Sequence, residues 1–343
     1  MPDTQFNVSA ILLSHNCERV IADALRSVLA QDCEPMEIIV SDDASTDGTF
    51  AVIQRESEQY AGPHRVVLRR RDSNAGSKSA HLNDVFPLAS GRYRVSFDGD
   101  DVSDPKRVSS ILEAFQADDA VTAVYSGYSL MAPEGRPQGR GTVQHPPPGA
   151  DAARWFARVD AYASGATLAV RRDVVDVFGP LVPEIHEDVV LPFRASLVGK
   201  VRYLDEDLVR VRRWQGSFTA DADRFISMDR YRARMLQGIG QARRQLDSRL
   251  ADLRKAAELE RIEPETLKEL ERIARASMAD AAATADLVSP SFLVRLRCLA
   301  RLARSGAYRQ ELPQNALLTF APRAYLGYKR RKLGIEADAA AAD

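Results

Sequence analysis

"RYRVSFDGDD" occupies Arg92–Asp101. The stretch Arg92–Phe97 reads as a short strand rich in β-branched and aromatic residues. It stops on Asp98, Gly99, Asp100 and Asp101. Carboxylates repel each other, and each loses solvation when packed near a core. Their gathering at a strand's carboxyl end therefore asks for either a solvated turn or a bound cation.

The segments around this one set the fold class. "VSAILLS" (Val8–Ser14) and "MEIIVS" (Met36–Ser41) are continuous apolar runs of strand length, the pattern of strands buried on both faces of a parallel sheet. Between them, Val20/Ile21, Ala24/Leu25 and Val28/Leu29 mark a helix face with Asn16 as N-cap. Thr49–Gly62 reads as a second helix stopped by Gly62, Arg65–Arg69 as a third strand and Lys78–Ala89 as a third helix. After Arg92–Phe97, Asp104-Pro105 opens another helix, Asp as cap and Pro at the first position. Val121–Ser126 is a fifth strand. Such alternation predicts an α/β domain with a mostly parallel sheet flanked by helices. Ligands of such sheets bind beyond the carboxyl ends of the strands. Two acidic clusters fall there, "SDDASTD" (Ser41–Asp47) and "DGDD" (Asp98–Asp101).

The 343 residues suffice for one large or two smaller domains, and 45% hydrophobic with 28% charged residues is the balance of a chain that buries a core. A net charge of -1 gives no basic field for nucleic acid. Cys17, Cys33 and Cys298 are odd in number and lack metal-ligand spacing, which points to a reducing cytosol and away from zinc. No signal-peptide pattern appears, and no apolar run approaches the roughly 18 residues of a membrane span. Any membrane contact is then peripheral, on the inner face. Met131–Gly149, dominated by Pro and Gly, reads as a long loop. Strand-like segments resume at Ala166–Val170, Lys200–Leu204 and Asp207–Trp214. From about Asp221 the pattern turns helical, with Leu246, Leu250, Leu253 and Ala257 on one face. Further helices follow, one after Pro264 and one after Ser289-Pro290. Glu336–Asp343 reads as a disordered tail.

Three constellations can carry chemistry. Asp98 and Asp100, one residue apart on a turn, can offer oxygens to a hard cation such as Mg²⁺ or Mn²⁺, which binds through one or two carboxylates plus phosphates. Gly99 would let the backbone approach a ligand. The plainer account is a solvated turn, with Asp104 as helix cap. Asp42 and Asp43 can accept hydrogen bonds from a nucleobase imide or from ribose hydroxyls; the plainer account is a turn and cap, to which Ser45, Thr46 and Asp47 belong. Glu187 and Asp188 suit the first turn of a helix through its macrodipole, or offer a general base to a cleft.

The order of "SAILLSHNCERVIADALRSVLAQ", "EIIVSDDASTDGT", "NAGSKSAHLNDVFPLASGRYRVSFDGDD" and "HEDVVLPFRA" resembles the family 2 inverting glycosyltransferases of the GT-A fold, over roughly residues 6–220. The resemblance implies a nucleoside-diphosphate-sugar donor, most simply a UDP-sugar, and a saccharide or lipid-linked saccharide acceptor. Bacterial surface polysaccharide or glycolipid synthesis is the implied setting. It puts Ser14, His15, Asn16 and Glu18 around the base and Asp42 or Asp43 on the nucleotide. Asn74, Gly76 and Asn83 support that pocket. Asp98 and Asp100 match the metal-binding DxD motif, with Asp100 the closer metal contact, and Asp188 matches the base of the "ED" pair.

The sequence departs from the family pattern in places. His15 stands where many relatives have tyrosine, Ala44 where many have glycine, and Trp214 where histidine is frequent. Trp214 can stack on a sugar or fill the core; Arg212 and Arg213 can approach the diphosphate or stand as solvated strand charges. The expected organisation is a catalytic domain over 1–220, a helical extension over 221–335 and the tail. The extension sets arginine and lysine beside leucine and tyrosine, a composition suited to packing, to homodimer contacts or to an anionic membrane surface. Two rival functions are a metal-dependent nucleotidyltransferase, which needs a Gly-rich basic phosphate loop that "SHNCERV" is not, and a non-catalytic nucleotide-sugar-binding scaffold.

Overall fold

β1 (Val8–Ser14) is buried at all seven positions, as an unbroken apolar run in a two-sided layer requires. It pairs in parallel with β2 (Glu37–Asp42) on one side and β4 (Tyr93–Asp98) on the other, and β2 pairs in parallel with β3 (Arg65–Arg70). The computed structural model describes residues 6–143, 163–213, 227–305 and 312–333. Its sheet runs β3-β2-β1-β4-β8-β6-β9-β5, with β7 (Pro137–Arg140) paired to β6 (Val121–Met131). Past β4 the pairing is mixed. Short β8 (Ala169–Arg171) lies antiparallel between β4 and β6, β9 (Lys200–Arg212) runs parallel to β6, and β5 (Val102–Ser103) runs antiparallel to β9.

Helices α1 (Ile21–Leu29), α2 (Thr49–Glu58), α3 (Lys78–Val85) and α4 (Arg107–Gln116) follow β1, β2, β3 and β5. Ile21, Leu25 and Val28 of α1 and Val108, Ile111 and Phe115 of α4 join Leu12, Ile38, Val95 and Phe97 of the sheet in one core. The Tyr93 and Phe115 rings stack there at 4.3 Å. α5 (Arg172–Phe178) and α6 (Glu187–Val198) come next, and α6 carries the Glu-Asp pair in its first turn.

The chain divides into two compact units, Met1–Trp214 with Ser248–Leu270, and Gln215–Asp247 with Glu271–Asp343. The second holds most of the later helices: α7 (Met228–Glu258) in part, α8 (Pro264–Ala285) in part, α9 (Phe292–Ser305), α10 (Leu312–Phe320) and α11 (Pro322–Leu333). Its core gathers Tyr231, Leu287, Val288, Cys298, Leu302, Leu318, Tyr325 and Leu326. In the first unit, Arg194 of α6 meets Asp252 of α7 at 2.9 Å, both side chains buried, and the Arg249 guanidinium lies 5.7 Å from the Phe193 ring.

Several local expectations are corrected. Asn16 does not cap α1, which starts at Ile21 without a side-chain cap; Asn16 has φ 47° and accepts a 2.8 Å bond from the Thr46 N–H instead. α2 ends at Glu58, before Gly62. α4 starts at Arg107, yet the Asp104 carboxylate still accepts from the Lys106 N–H at 2.9 Å. The Pro/Gly-rich stretch is not loop throughout, because β7 folds back on β6 as a hairpin strand. The tail and Trp214 lie outside the described residues.

Candidate active site

The carboxyl ends of β1, β2 and β4 bring three loops together. Asp42 closes β2, fully buried, and accepts bonds from Ser14 Oγ (3.2 Å), the Ser45 N–H (3.0 Å) and Ser45 Oγ (2.5 Å). Its oxygens are spent on bracing the loop. Asp43 follows with different partners. It accepts from the Ala75 N–H at 2.8 Å and pairs with Arg71 at 3.0 Å. The exposed His15 ring holds Nδ1 at 2.8 Å from the Asp43 carbonyl, and Asn74 Nδ2 lies 3.3 Å from the same ring. Asp43, His15 and Asn74 thus form one polar corner. Glu18 stands apart from it, accepting from the Gly48 N–H at the start of α2.

Asn74 also shapes the next turn. Its Oδ1 accepts from the Gly76 N–H at 2.6 Å, and Gly76 sits at φ 80°, where only glycine is comfortable. Ser77 then caps α3 by accepting from the Ala80 N–H at 3.1 Å. Three side chains of α3 fasten it. Asn83 exchanges bonds of 2.8 and 2.7 Å with the Leu181 carbonyl and N–H, Ser79 Oγ donates to the Ile185 carbonyl, and His81 Nε2 meets Ser41 Oγ at 2.7 Å. Burial drives the His81 imidazole down to about 4, so it is neutral. Asn83 thus joins α3 to the segment that leads into α6.

The acidic turn closes the other side. A Cβ at Gly99 would stand 2.9 Å from the Leu13 carbonyl and 3.0 Å from Ser14 Cβ. Its bareness lets the turn close on β1. Asp101 is buried and accepts from the Arg212 N–H at 2.9 Å. Burial, then Asp100 and Asp98, raises its carboxyl well above the usual range. Arg212 is neither solvated nor free for a diphosphate. It is buried and donates to the Asp100 carbonyl (3.0 Å), the Pro133 carbonyl (2.5 Å) and Asp23 (3.2 Å). Arg213 is exposed. Beneath the turn, Arg107 donates to the Ser96 carbonyl at 2.7 Å, and its guanidinium lies 4.3 Å from the Phe97 ring.

Lys78, the first residue of α3, joins the turn to α6. Its Nζ lies 2.6 Å from Asp98 Oδ1 and 2.9 Å from Glu187 Oε1. Burial opposes its charge, but Asp98 and Glu187 outweigh burial and raise its pKa. Asp188 stands beside this bridge. Burial and then Glu187 push its carboxyl up to about 7, Asp98 adds to the rise, and Lys78 and the Gly165 N–H oppose it. Asp98 and Asp188 therefore share one electrostatic environment. Sequence reasoning missed Lys78, and it missed Gly165, where any Cβ would collide with the Glu187 carboxylate.

Residues 9–179 match the family model described as glycosyl transferase family 2. The chain carries a glycosyl transferase family 2 domain. An uncharacterised glycosyltransferase, alr2836 of Nostoc sp., is 26% identical over 211 residues, 60% of this chain and 64% of its own length. The chain thus spans less than two thirds of that curated relative. Among solved structures, TarS 1–349 of Staphylococcus aureus in complex with UDP-GlcNAc aligns with a TM-score of 0.54 at 16% identity, covering 96% of this chain and 93% of its own. Mannosyltransferase PcManGT from Pyrobaculum calidifontis, in complex with GDP-Man and Mn²⁺, aligns at 0.51 and 18% identity, covering 98% and 90%. At such identities the likeness is one of fold, the GT-A fold of glycosyltransferases.

Among the described residues, no three His, Cys, Asp or Glu side chains gather to hold a metal. Asp98 and Asp100 offer two carboxylates. That set suits Mg²⁺ or Mn²⁺, which fills its remaining positions with phosphate oxygens and water, and it suits neither zinc nor calcium in a closed protein cage.

Proposed function

We propose that this protein transfers a sugar, with inversion, from a nucleoside-diphosphate sugar to a hydroxyl acceptor. The observation that carries the reading is Asp188, half-buried in the first turn of α6 beside Glu187 and Lys78, with Asp98 in electrostatic reach. A base poised near neutrality fits the abstraction of an alcohol proton. Asp188 takes that proton while the acceptor oxygen attacks the anomeric carbon. The new C–O bond forms on the face opposite the departing diphosphate, and the bond to the diphosphate breaks with its electrons leaving on the phosphate oxygen. The anomeric centre inverts. A divalent cation at Asp98 and Asp100 would supply charge neutralisation to the leaving diphosphate.

Asp43, His15 and Asn74 would take the nucleotide, Asp43 by accepting from ribose or base and His15 by offering a ring face. Ser14, Asn16, Glu18, Asp42, Gly76 and Asn83 hold the loops that shape this corner, and Gly99 lets the acidic turn close beside it. A UDP-sugar is the donor favoured, supported by the UDP-GlcNAc complex of TarS, while the GDP-Man complex of the mannosyltransferase makes guanosine the alternative. The acceptor we favour is a saccharide or lipid-linked saccharide of bacterial surface polysaccharide or glycolipid synthesis. The catalytic domain is assigned to 1–220 and the helical extension to 221–335; the extension's 248–270 segment packs with the first unit, and its remainder is assigned to a peripheral contact with an anionic membrane.

A thermal-shift screen of nucleotide sugars with and without Mn²⁺ tests the reading. One donor should raise Tm only when Mn²⁺ is present. A donor panel that leaves Tm unmoved in both conditions contradicts it.

A further inference from the structure

We infer that Lys78 is a resident cation that occupies Asp98 until donor arrives, and so couples metal binding to nucleotide binding. The inference rests on the metal reading above and concerns what precedes the reaction. The ammonium lies 2.6 Å from Asp98 and 2.9 Å from Glu187, the distances of charge-assisted hydrogen bonds.

The position is deliberate in physical terms. Lys78 begins α3, where the helix macrodipole disfavours a cation. Only the surrounding carboxylates offset that. The backbone of α3 cannot drift away from them either. The Asn74–Gly76 turn and the Ser77 cap set its start, and Asn83 and Ser79 fasten it to the segment before α6. Lys78 is thereby held between β4 and α6, the two elements that supply the DxD and Glu-Asp pairs. Other cations near the turn are spent elsewhere, Arg107 on Ser96 and Ser103, Arg212 on Asp23 and two carbonyls.

The consequence is electrostatic. A divalent cation arriving alone must take Asp98 from an ammonium and then sit beside it, two like charges in a partly desolvated site. A diphosphate arriving with the metal offsets that repulsion with its own negative charge. The third proton of the Lys78 ammonium is also free in number to meet a phosphate oxygen, since a lysine has three donors. Metal and nucleotide then bind with positive, reciprocal coupling.

The test is the Mn²⁺ dissociation constant, measured by calorimetry with and without UDP, with GDP and dTDP as parallel arms. The wild-type protein should bind Mn²⁺ at least about tenfold more tightly once the matching nucleotide is present. Lys78→Met should bind Mn²⁺ alone several-fold more tightly than wild type, and the nucleotide-induced gain should shrink by a similar factor. Lys78→Arg, which keeps the charge, should retain most of the gain. An unchanged gain in Lys78→Met overturns the inference and leaves the metal reading intact. Wild-type protein that binds no Mn²⁺ with any of the three nucleotides overturns the metal reading itself. Should Lys78→Met fail to fold, the wild-type protein still decides: a Tm rise with Mn²⁺ alone equal to that with Mn²⁺ and nucleotide overturns the inference.

Discussion

In the proposed reaction Asp188 is the base, and its surroundings fix how it should respond to pH. Burial and the neighbouring Glu187 raise its carboxyl to about 7, with Asp98 adding to the rise and Lys78 and the Gly165 N–H opposing it. A base must be ionised to act. kcat/KM should therefore climb with pH and level off above an inflection near 7, whereas a flat profile from pH 5 to 8 would contradict the assignment. Stability should move the other way. Between the ordinary carboxylate range and about 7 the folded state holds a proton the unfolded chain has released, so unfolding free energy falls as pH rises through that window. Urea melts of Asp188→Asn should lack that slope. Gly165 gives a second prediction at this scale. Gly165→Ala forces the Glu187 carboxylate off its place beside Lys78. Transfer should drop by an order of magnitude or more while Tm changes by only a few degrees, near what about 1 kcal/mol implies. Wild-type turnover by that variant would show that the Glu187–Lys78 contact has no part in the reaction.

At the scale of elements, α6 carries the proposed base, and the account requires it to be held firmly. Its buried Arg194–Asp252 pair ties it to α7 within the first unit. Arg194→Ala leaves Asp252 charged and alone, a loss of about 3–5 kcal/mol, readable as a shift of the urea midpoint; a loss under 1 kcal/mol would mean that α7 does not brace α6. Much of this architecture was legible in the sequence, because unbroken apolar runs can be satisfied only by two-sided burial. Val8–Ser14 and Glu37–Asp42 became adjacent parallel strands, and Tyr93–Asp98, legible from its β-branched and aromatic residues, paired with the other side of β1. What escaped notice depended on distance in the chain. Lys78 and Glu187 are far apart in sequence, and nothing in "GSKSAHLN" says that its lysine will face "HED". β7 was hidden by its composition, since Pro137 and Gly139 mark loops yet are tolerated at an edge. Arg212 looked like a strand charge, and its three distant partners were invisible.

The whole molecule raises the question of what the second unit does. None of its described helices is long and apolar enough to cross a membrane. Phe292, Leu293, Leu296 and Phe320 are nevertheless exposed, and the Phe292 and Phe320 rings meet edge to face at 5.9 Å. Arg297 and Arg304 lie on the same open side of α9, and neither α9 nor α11 contains an acidic residue. Aromatic and leucine side chains flanked by arginine suit an anionic lipid surface. The protein should co-sediment with vesicles containing phosphatidylglycerol and not with phosphatidylcholine alone. At about 1 kcal/mol per basic residue, Arg297→Glu with Arg304→Glu should weaken that partition roughly thirtyfold or more. Concentration-dependent dimers without vesicle binding would assign the face to a second copy instead.

The central claim is a division of labour between carboxylates in a single cleft, and the Asp188→Asn variant probes it most directly. Donor affinity and nucleoside diphosphate release should be measured together on that variant, with Mn²⁺ and the donor found in the screen. The account predicts donor affinity within about twofold of wild type and release reduced at least a thousandfold, since general base catalysis and the ionised form are lost together. Release at the wild-type rate, with donor still bound, would contradict it.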